Sequence, residues 1–319
     1  MVRFNHITQT RYALRYASAV IVAASVAVAV LTLPVSAQDV KQKAFGSPEE
    51  AMKALAETAH AGDTKGMIAI LGPEGEDIIS SGDAVADRDA LERFVKVYQQ
   101  RVDFVKEKEG RVSVIIGNDH WPFPIPIMKK AEGWMFDTKA GREEVLNRRI
   151  GRNELNAIQV CLGYVEAQRE YASTDRERDG IIQYAQRFAS DTGRRNGLYW
   201  VAAEGEVPSP LGPFAAKAAA EGYRKAADKP TPYHGYYYKI LKGQGKSAPG
   251  GAYNYTINGH MVAGFALVAW PAEYGVSGVM TFVVNRNGVV YEKDMGLKTE
   301  GIVKAMTLYN TDRTWRRAQ

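Results

Sequence analysis

The feature that most constrains this chain is a long stretch near its middle, from Gly141 to Tyr171, that contains no proline. It opens with charged residues and continues with large apolar residues at steps of three and four, namely Leu155, Ile158, Leu162 and Val165. That spacing places the apolar residues on one face of a helix. The stretch is therefore predicted to be one long helix whose apolar stripe packs on a C-terminal sheet.

The chain is predicted to divide at this helix. A length of 319 residues favours two domains, and contents of 45% hydrophobic and 24% charged residues are ordinary for a globular chain with real cores. Residues 38–140 are predicted to form an N-terminal α+β domain. Residues 141–319 are predicted to form a C-terminal domain in which the long helix packs on an antiparallel sheet.

The first 37 residues have the pattern of a secretory signal peptide. Three arginines precede an uncharged apolar run from Ala17 to Leu33, and small residues occupy the positions before a cleavage site after Ala37. An uncleaved membrane anchor is the alternative, since the run is at the short edge of spanning length. Cleavage predicts a periplasmic or secreted protein with no membrane association afterwards.

Charge and cysteine content exclude some classes of function. The signal segment holds three of the 41 basic residues and none of the 36 acidic ones, so 38 basic and 36 acidic residues leave the mature chain at +2. That balance does not predict a nucleic-acid partner. Cys161 is the only cysteine, so no internal disulfide can form, and its place on the long helix predicts a small buried hydrophobe.

The N-terminal domain is predicted to begin with helices and end with strands. Ser47-Pro48-Glu49-Glu50 is a helix start, with serine as the cap and proline at the first helical position. Two more helices are predicted from Asp63 and Asp87. Val112, Val114 and Ile116 then place apolar residues at every second position, as in a half-buried strand.

A proline-rich strand follows. Trp121–Ile127 has proline at every second position. Because proline lacks a backbone N–H group, one side of such a strand has no hydrogen-bond donors at these positions, and the strand is predicted to lie at a sheet edge. Helices followed by a curled antiparallel sheet resemble the cone-shaped nuclear-transport-factor-like fold, which often holds a pocket. Trp121, Phe123, Trp134 and Phe136 are candidates to line such a pocket, and ordinary core and edge packing is the alternative.

The C-terminal domain is predicted to add strands to the long helix. Short helices are expected over residues 181–188 and 214–227, strands over 236–241 and 260–270, and a hairpin of 279–284 with 289–292. Asn287-Gly288 between the last two strands is a favoured tight-turn pair. A long helix followed by an antiparallel sheet is an α+β arrangement.

Four runs of residues carry a family resemblance: Trp121-Pro122-Phe123-Pro124-Ile125-Pro126, Asn147-Arg148-Arg149-Ile150-Gly151-Arg152-Asn153-Glu154, His234-Gly235-Tyr236-Tyr237-Tyr238 and Met280-Thr281-Phe282-Val283-Val284-Asn285. With these runs the chain resembles the bacterial domain-of-unknown-function 2950 family over nearly all of its mature length. The resemblance implies an exported bacterial protein and supplies no activity.

The second half is also similar to the soluble heads of pseudopilins. The similarity lies in the helix with Leu155-Asn156-Ala157-Ile158 and Arg169-Glu170-Tyr171, followed by Gly-Tyr strands and a closing Gly-Val-Val-Tyr strand. It implies a helix wrapped into a small antiparallel sheet. It does not extend to filament assembly, because a whole domain separates this head from the apolar N-terminal segment.

Catalytic patterns are not found. His60, His120, His234 and His260 each stand without a second ligand at metal-binding spacing, and no serine lies in a Gly-x-Ser-x-Gly elbow. Gly245-Lys246-Ser247 imitates the end of a phosphate loop but lacks the required earlier glycine. No catalytic residue and no cofactor-binding residue is assigned.

One acidic cluster is a candidate calcium site. Asp175, Glu177 and Asp179 alternate before Gly180, as in the first half of a calcium-binding loop. The last ligand of such a loop should be glutamate, whereas this chain has Gln186. The alternative is a solvated turn that caps the following segment.

The sequence thus predicts an exported, non-enzymatic binding or assembly protein of the bacterial envelope, with an unidentified envelope protein as its partner. The alternative is a small-ligand-binding or hydrolytic cup in the N-terminal domain. The two differ in whether Asp119, His120 and Asp137 converge on one pocket.

Overall fold

The computed structural model describes residues 41–224 and 230–318, and these residues adopt a mixed α+β fold. The predicted signal peptide lies outside the described residues. The helix predicted over residues 214–227 is shorter than expected, since it ends at Ala220 and residues 221–224 are not helical; residues 225–227 of that prediction lie outside the described residues. Two hydrophobic cores lie within the one compact unit to which the described residues belong. Within the described ranges, no helix combines the length and the apolar character that crossing a bilayer needs.

The N-terminal half consists of helices followed by antiparallel strands. Its elements are α1 (Pro48–His60), α2 (Thr64–Leu71), α3 (Glu76–Ile79), α4 (Ala84–Gln100), β1 (Val102–Lys106), β2 (Arg111–Ile116), β3 (Trp121–Pro122), β4 (Ile127–Lys130) and β5 (Gly133–Phe136). The strands lie in the order β1-β2-β4-β5, and β3 also pairs with β2.

Local capping explains where these helices begin. The Ser47 hydroxyl accepts a hydrogen bond from the Glu50 amide at 3.2 Å, which confirms the predicted start of α1. Helix α4 begins earlier than predicted, because Asp83 and not Asp87 is its cap. One carboxylate oxygen of Asp83 accepts from the amides of Val85 and Ala86, at 3.2 and 3.1 Å.

The proline-rich segment is not a continuous edge strand, so that prediction is wrong. It pairs with β2 at both ends, but β4 lies between β2 and β5 and is hydrogen-bonded on both sides. Beside Pro124 the segment is covered by a helix, α5 (Thr138–Tyr171). A Cβ atom on Gly141 of that helix would lie 2.6 Å from the Pro124 carbonyl oxygen.

The C-terminal half packs the second part of α5 on a sheet. Its other elements are α6 (Gly212–Ala220), β6 (Tyr236–Leu241), β7 (Gly243–Gln244), β8 (Tyr253–Asn254), β9 (Thr256–Ile257), β10 (His260–Met261), β11 (Ala266–Pro271), β12 (Met280–Asn285), β13 (Tyr291–Asp294), α7 (Thr299–Ala305) and β14 (Arg316–Arg317). Five strands form an antiparallel sheet in the order β14-β13-β12-β11-β6.

The predicted hairpin is confirmed. Strands β12 and β13 pair antiparallel, and the turn between them closes with a hydrogen bond from the Gly288 amide to the Asn285 carbonyl at 2.9 Å. The single strand predicted over residues 260–270 is instead two strands, β10 and β11, with an unpaired stretch between them.

The helix predicted over residues 181–188 is wrong, and the reason is a tertiary contact. The Gln168 side chain accepts a hydrogen bond from the Ala185 amide and donates one to the Ala185 carbonyl, both at 2.8 Å. The Tyr184 amide donates to the Met261 carbonyl at 2.8 Å. These partners take the backbone groups that a helix would need for itself, so the segment is irregular and not helical.

The apolar stripe predicted on α5 is only partly buried. Val165 is 1% exposed, but Leu155 and Leu162 are 61% and 37% exposed. The buried face of this part of the helix is formed by Asn153, Ala157, Cys161, Tyr164, Val165, Ala167, Gln168 and Tyr171. Ile158 is partly buried and packs against the C-terminal core. Two residues of the buried face are amides with buried hydrogen bonds, for example from Asn153 to the Ser277 carbonyl at 2.9 Å, so hydropathy alone placed only part of this face correctly.

Two glycines of α5 provide a test of its close contact with the proline-rich segment. We expect Gly141→Ala to cost about 1–3 kcal/mol, because the added methyl would overlap backbone atoms of Pro124 and Ile125 that cannot rotate away. We expect Gly151→Ala to stabilise by about 0.8–1.0 kcal/mol, because it removes an exposed helical glycine where a Cβ meets open space.

Urea unfolding of the two variants and the parent measures both effects. Equal stability of Gly141→Ala and Gly151→Ala would show that α5 does not depend on close approach at residue 141.

Candidate functional site

The N-terminal half encloses a cavity of about 530 Å³, within the usual range of small-molecule sites. It lies between α1, α4, the end of β2, the proline-rich segment and the first half of α5. Most of its lining is apolar, including Leu55, Met67, Ile79, Leu91, Phe94, Val97, Ile116, Phe123, Ile125 and Val145. An apolar ligand placed there would be removed from water on several sides.

Helix periodicity explains most of this lining. Leu91, Phe94 and Val97 follow one another at steps of three on α4, so they share the face that looks into the cavity. Ile116 is the last residue of β2 and is fully buried, so it contributes from the sheet. The exposed lining residues, which we call the mouth, are Arg93, Gln100, Asp119, Trp121 and Arg152.

Four arginines line the cavity, and two of them have structural partners. Arg149 donates to the Asp77 carbonyl at 2.6 Å and to the Ile78 carbonyl, so it ties α5 to α3. Burial is the main reason that the pKa of its guanidinium is lowered. Arg148 pairs with Glu144 at 2.6 Å and lies over the Trp121 ring, 4.9 Å from the ring centroid.

The other two arginines lie at the mouth. Arg93 on α4 pairs with Asp89 of the same helix, and both side chains of this pair are about half exposed, at 49% and 54%. Burial, and then the nearby charge of Arg152, lower the pKa of Arg93. Among the residues that the structure describes, no ion pair includes Arg152.

Two of the four predicted aromatic residues line this cavity. Trp121 stands at the mouth and Phe123 lies inside. Phe136 does not line the cavity; it is 1% exposed and packs behind Phe123, with ring centroids 6.3 Å apart. Trp134 is also outside the lining, and its backbone pairs with Phe45.

The arginines are the site residues that sequence reasoning missed. The charged run at the start of the long helix was interpreted only as its beginning. Arg148, Arg149 and Arg152 are spaced by one and three residues, which places them on one side of a helix, and that spacing was the available signal. Nothing in the sequence showed that this side would cover an apolar cavity.

The three polar residues that would mark a hydrolytic cup do not meet. Asp119 lines the cavity mouth. His120 is exposed and outside the lining. Asp137 is the cap of α5 and accepts a hydrogen bond from the Ala140 amide at 3.4 Å. The side chains therefore do not form one acid–base site.

The candidate calcium residues lie in a tight turn after α5. The Asp175 carboxylate accepts backbone hydrogen bonds from Arg178 and Gly180, at 2.7 and 2.8 Å. Glu177 and Asp179 both accept from the Gln183 side chain, at 3.1 and 3.4 Å. Over the described ranges, no group of three or more Asp, Glu, His or Cys side chains is arranged to hold a metal ion, and calcium binding stays a prediction.

A second cluster of titratable side chains joins the two halves of the molecule. Asp83 is 1% exposed, and its carboxylate accepts from the Tyr223 hydroxyl at 2.9 Å and from the Gly235 amide at 2.8 Å. The His234 ring lies 3.3 Å from Glu221. The cluster holds the start of α4 against the segment that leads into β6.

Cys161 is fully buried on α5, and burial raises the pKa of its thiol to about 12. A thiol held in its neutral form is a poor nucleophile and packs as a small hydrophobe.

Comparison with known proteins identifies one family. The family model described as a protein of unknown function (DUF2950) matches residues 42–318. No curated protein and no solved structure matches the chain. The likeness of the C-terminal half to pseudopilin heads is therefore not confirmed, and the nuclear-transport-factor-like cone stays a prediction.

The cluster of Asp83, Tyr223, His234 and Glu221 that joins the two halves should make the stability of the protein depend on pH, through His234. Burial is the largest influence on the pKa of His234 and lowers it; together with the charge of Lys217 it outweighs Glu221 and Asp83, which raise the pKa. The unfolded chain therefore binds a proton more readily than the folded one, and stability is lost as the pH falls below about 6.5. His234→Asn should remove this part of the loss, measured by urea unfolding at about pH 7 and about pH 5.

His120→Asn is the matched control for that substitution. His120 and His234 have similar positive φ angles, 52° and 51°, which asparagine also tolerates, but His120 is exposed. The control should keep the pH dependence of the parent. If His234→Asn keeps it too, His234 is not the group that titrates.

Proposed function

Because this chain belongs to the DUF2950 family of proteins of unknown function, we propose its role from the cavity: it is an exported, non-enzymatic binding protein of the bacterial envelope that holds a small, largely apolar ligand. The observation that carries this proposal is the apolar cavity of about 530 Å³ in the N-terminal half.

The lining supplies the binding energy. Removing apolar ligand surface from water contributes roughly 25 cal/mol per Å². The cavity walls come from helices on two sides and from the sheet and the proline-rich segment on the others, so much of a ligand's surface would be covered. Gly141 allows α5 to approach the proline-rich segment closely and so helps to hold this wall in place.

The distribution of polar groups favours binding over hydrolysis. A hydrolytic site needs an acid or base within hydrogen-bond reach of a nucleophile or an activated water. Of Asp119, His120 and Asp137, only Asp119 lines the cavity. The other charged lining residues are arginines, which stay protonated and do not serve as bases.

Export is supported by the sequence pattern at the N-terminus. A cleavable signal peptide has three parts, and this chain has all three: positively charged residues, an apolar run, and small residues before Gln38.

Mature protein recovered from the envelope fraction should therefore begin at Gln38, as N-terminal sequencing would show. Recovery of the chain with Met1 retained in the membrane fraction would instead support the membrane-anchor alternative.

Filling the cavity should weaken ligand binding. Ala90 lies on α4 and lines the cavity, so Ala90→Phe places a ring in the space of the ligand. We expect the affinity for dodecanol, a neutral single-chain probe, to fall by about tenfold or more because apolar contact area is lost. Isothermal titration calorimetry measures the affinity, and far-ultraviolet circular dichroism checks that the variant is folded.

Ala84→Phe is the control for this substitution. Ala84 is on the same helix, but it is exposed and outside the lining, so the variant should bind dodecanol as the parent does. A folded Ala90→Phe variant with unchanged affinity would mean that dodecanol binds elsewhere. The proposed function would be contradicted if the parent protein bound neither dodecanol nor a single-chain analogue of it with an anionic head.

A further inference from the structure

The charges at the cavity are unequal in sign. The lining contains four arginines and one aspartate, and the arginines come from two different helices, α4 and α5. A surplus of positive charge beside an apolar cavity is complementary to a molecule that has an apolar chain and a negatively charged end.

Not all of these arginines are available to a ligand. Arg149 is tied to the carbonyls of Asp77 and Ile78, and Arg148 is held by Glu144 and by the Trp121 ring. The Arg149 hydrogen bonds and the packing of Arg148 on the Trp121 ring hold α5 against α3 and the proline-rich segment. The nearby carboxylates of Asp87, Asp77 and Glu273 act against the charge of Arg149, so the positive charge open to a ligand lies on the other two arginines.

Arg93 and Arg152 remain available. The pair of Arg93 with Asp89 is within one helix and half exposed, and pairs of this kind contribute little, so an incoming anion can compete for the guanidinium. Within the described part of the chain, Arg152 belongs to no ion pair. It is exposed at the mouth, on the opposite helix from Arg93.

The two cations repel each other across the mouth. The charge of Arg152 contributes, after burial, to the lowered pKa of Arg93, and it also acts on Arg149. An anion between Arg93 and Arg152 would relieve this repulsion. A guanidinium can give two parallel hydrogen bonds to a carboxylate or a phosphate, which fixes the orientation of the head.

We infer that the ligand is a single-chain amphiphile with an anionic head, a carboxylate or a phosphate, whose chain lies in the apolar cavity and whose head is bound by Arg152 and Arg93. This inference rests on the proposed function and deepens it by naming the class of ligand. The single chain follows from a cavity of about 530 Å³ with an apolar interior and cations only at and beside its mouth.

Four probes of related chemistry separate the parts of this inference. Dodecanoate and dodecyl phosphate have the chain and an anionic head, dodecanol has the chain with a neutral head, and acetate has a head without the chain. At low ionic strength the parent should bind the better of the two anionic amphiphiles about tenfold more tightly than dodecanol, and acetate should not compete. Whichever anionic amphiphile binds more tightly, dodecanoate or dodecyl phosphate, identifies the preferred head group as a carboxylate or a phosphate.

Arg152→Gln should remove most of the tenfold advantage and weaken dodecanol binding far less than it weakens binding of the anionic probes, since glutamine keeps a polar side chain but loses the charge. Arg93→Gln should act in the same direction. Arg88→Gln on α4 is the control: Arg88 is exposed and outside the cavity lining, so all four probes should behave as with the parent. Added salt should reduce the advantage of the anionic probes in the parent and not in Arg152→Gln.

The outcomes separate the inference from the proposed function. If dodecanol and the anionic amphiphiles bind equally well, or if Arg152→Gln and Arg93→Gln leave the advantage intact, the head is not bound by these arginines, and the apolar cavity still stands as a binding site. If no chain-bearing probe binds, both are overturned.

Discussion

Helix α5 contributes to both hydrophobic cores, and the rest of the molecule is arranged around that requirement. It is a single helix of 34 residues. Its first part adds Val145 to the N-terminal core, and its second part buries residues such as Tyr164 and Val165 in the C-terminal core. Because one rigid helix serves both, the cavity wall and the C-terminal sheet cannot shift independently.

Three contacts fix the first part of this helix. Its backbone approaches the proline-rich segment at Gly141, Arg149 binds carbonyls of α3, and Arg142 pairs with Asp77. The same contacts carry Arg152 to the cavity mouth, so the charge at the mouth is a consequence of how the two halves are joined.

The candidate site was only partly accessible to sequence reasoning. Trp121 and Phe123 are candidates because helices followed by a curled sheet resemble a cone-shaped fold that often holds a pocket, and both line the cavity. Phe136 and Trp134 have the same chemistry but different positions, since Phe136 packs behind Phe123 and Trp134 pairs with Phe45. Arg93 and Arg152 are far apart in sequence, and no local pattern connects two charged residues on different helices.

The sequence by itself determined the elements whose signals are local. The cap at Ser47, the alternation of β2 and the turn at Asn287-Gly288 depend on neighbouring residues, and all three are present. Only the tertiary structure decided which face of α5 is buried and that residues 181–188 are not helical. In both cases a buried amide side chain makes the decision, because Asn153 and Gln168 satisfy backbone groups distant in sequence. Hydropathy assigns such residues to the surface, and only their hydrogen-bond partners make burial favourable.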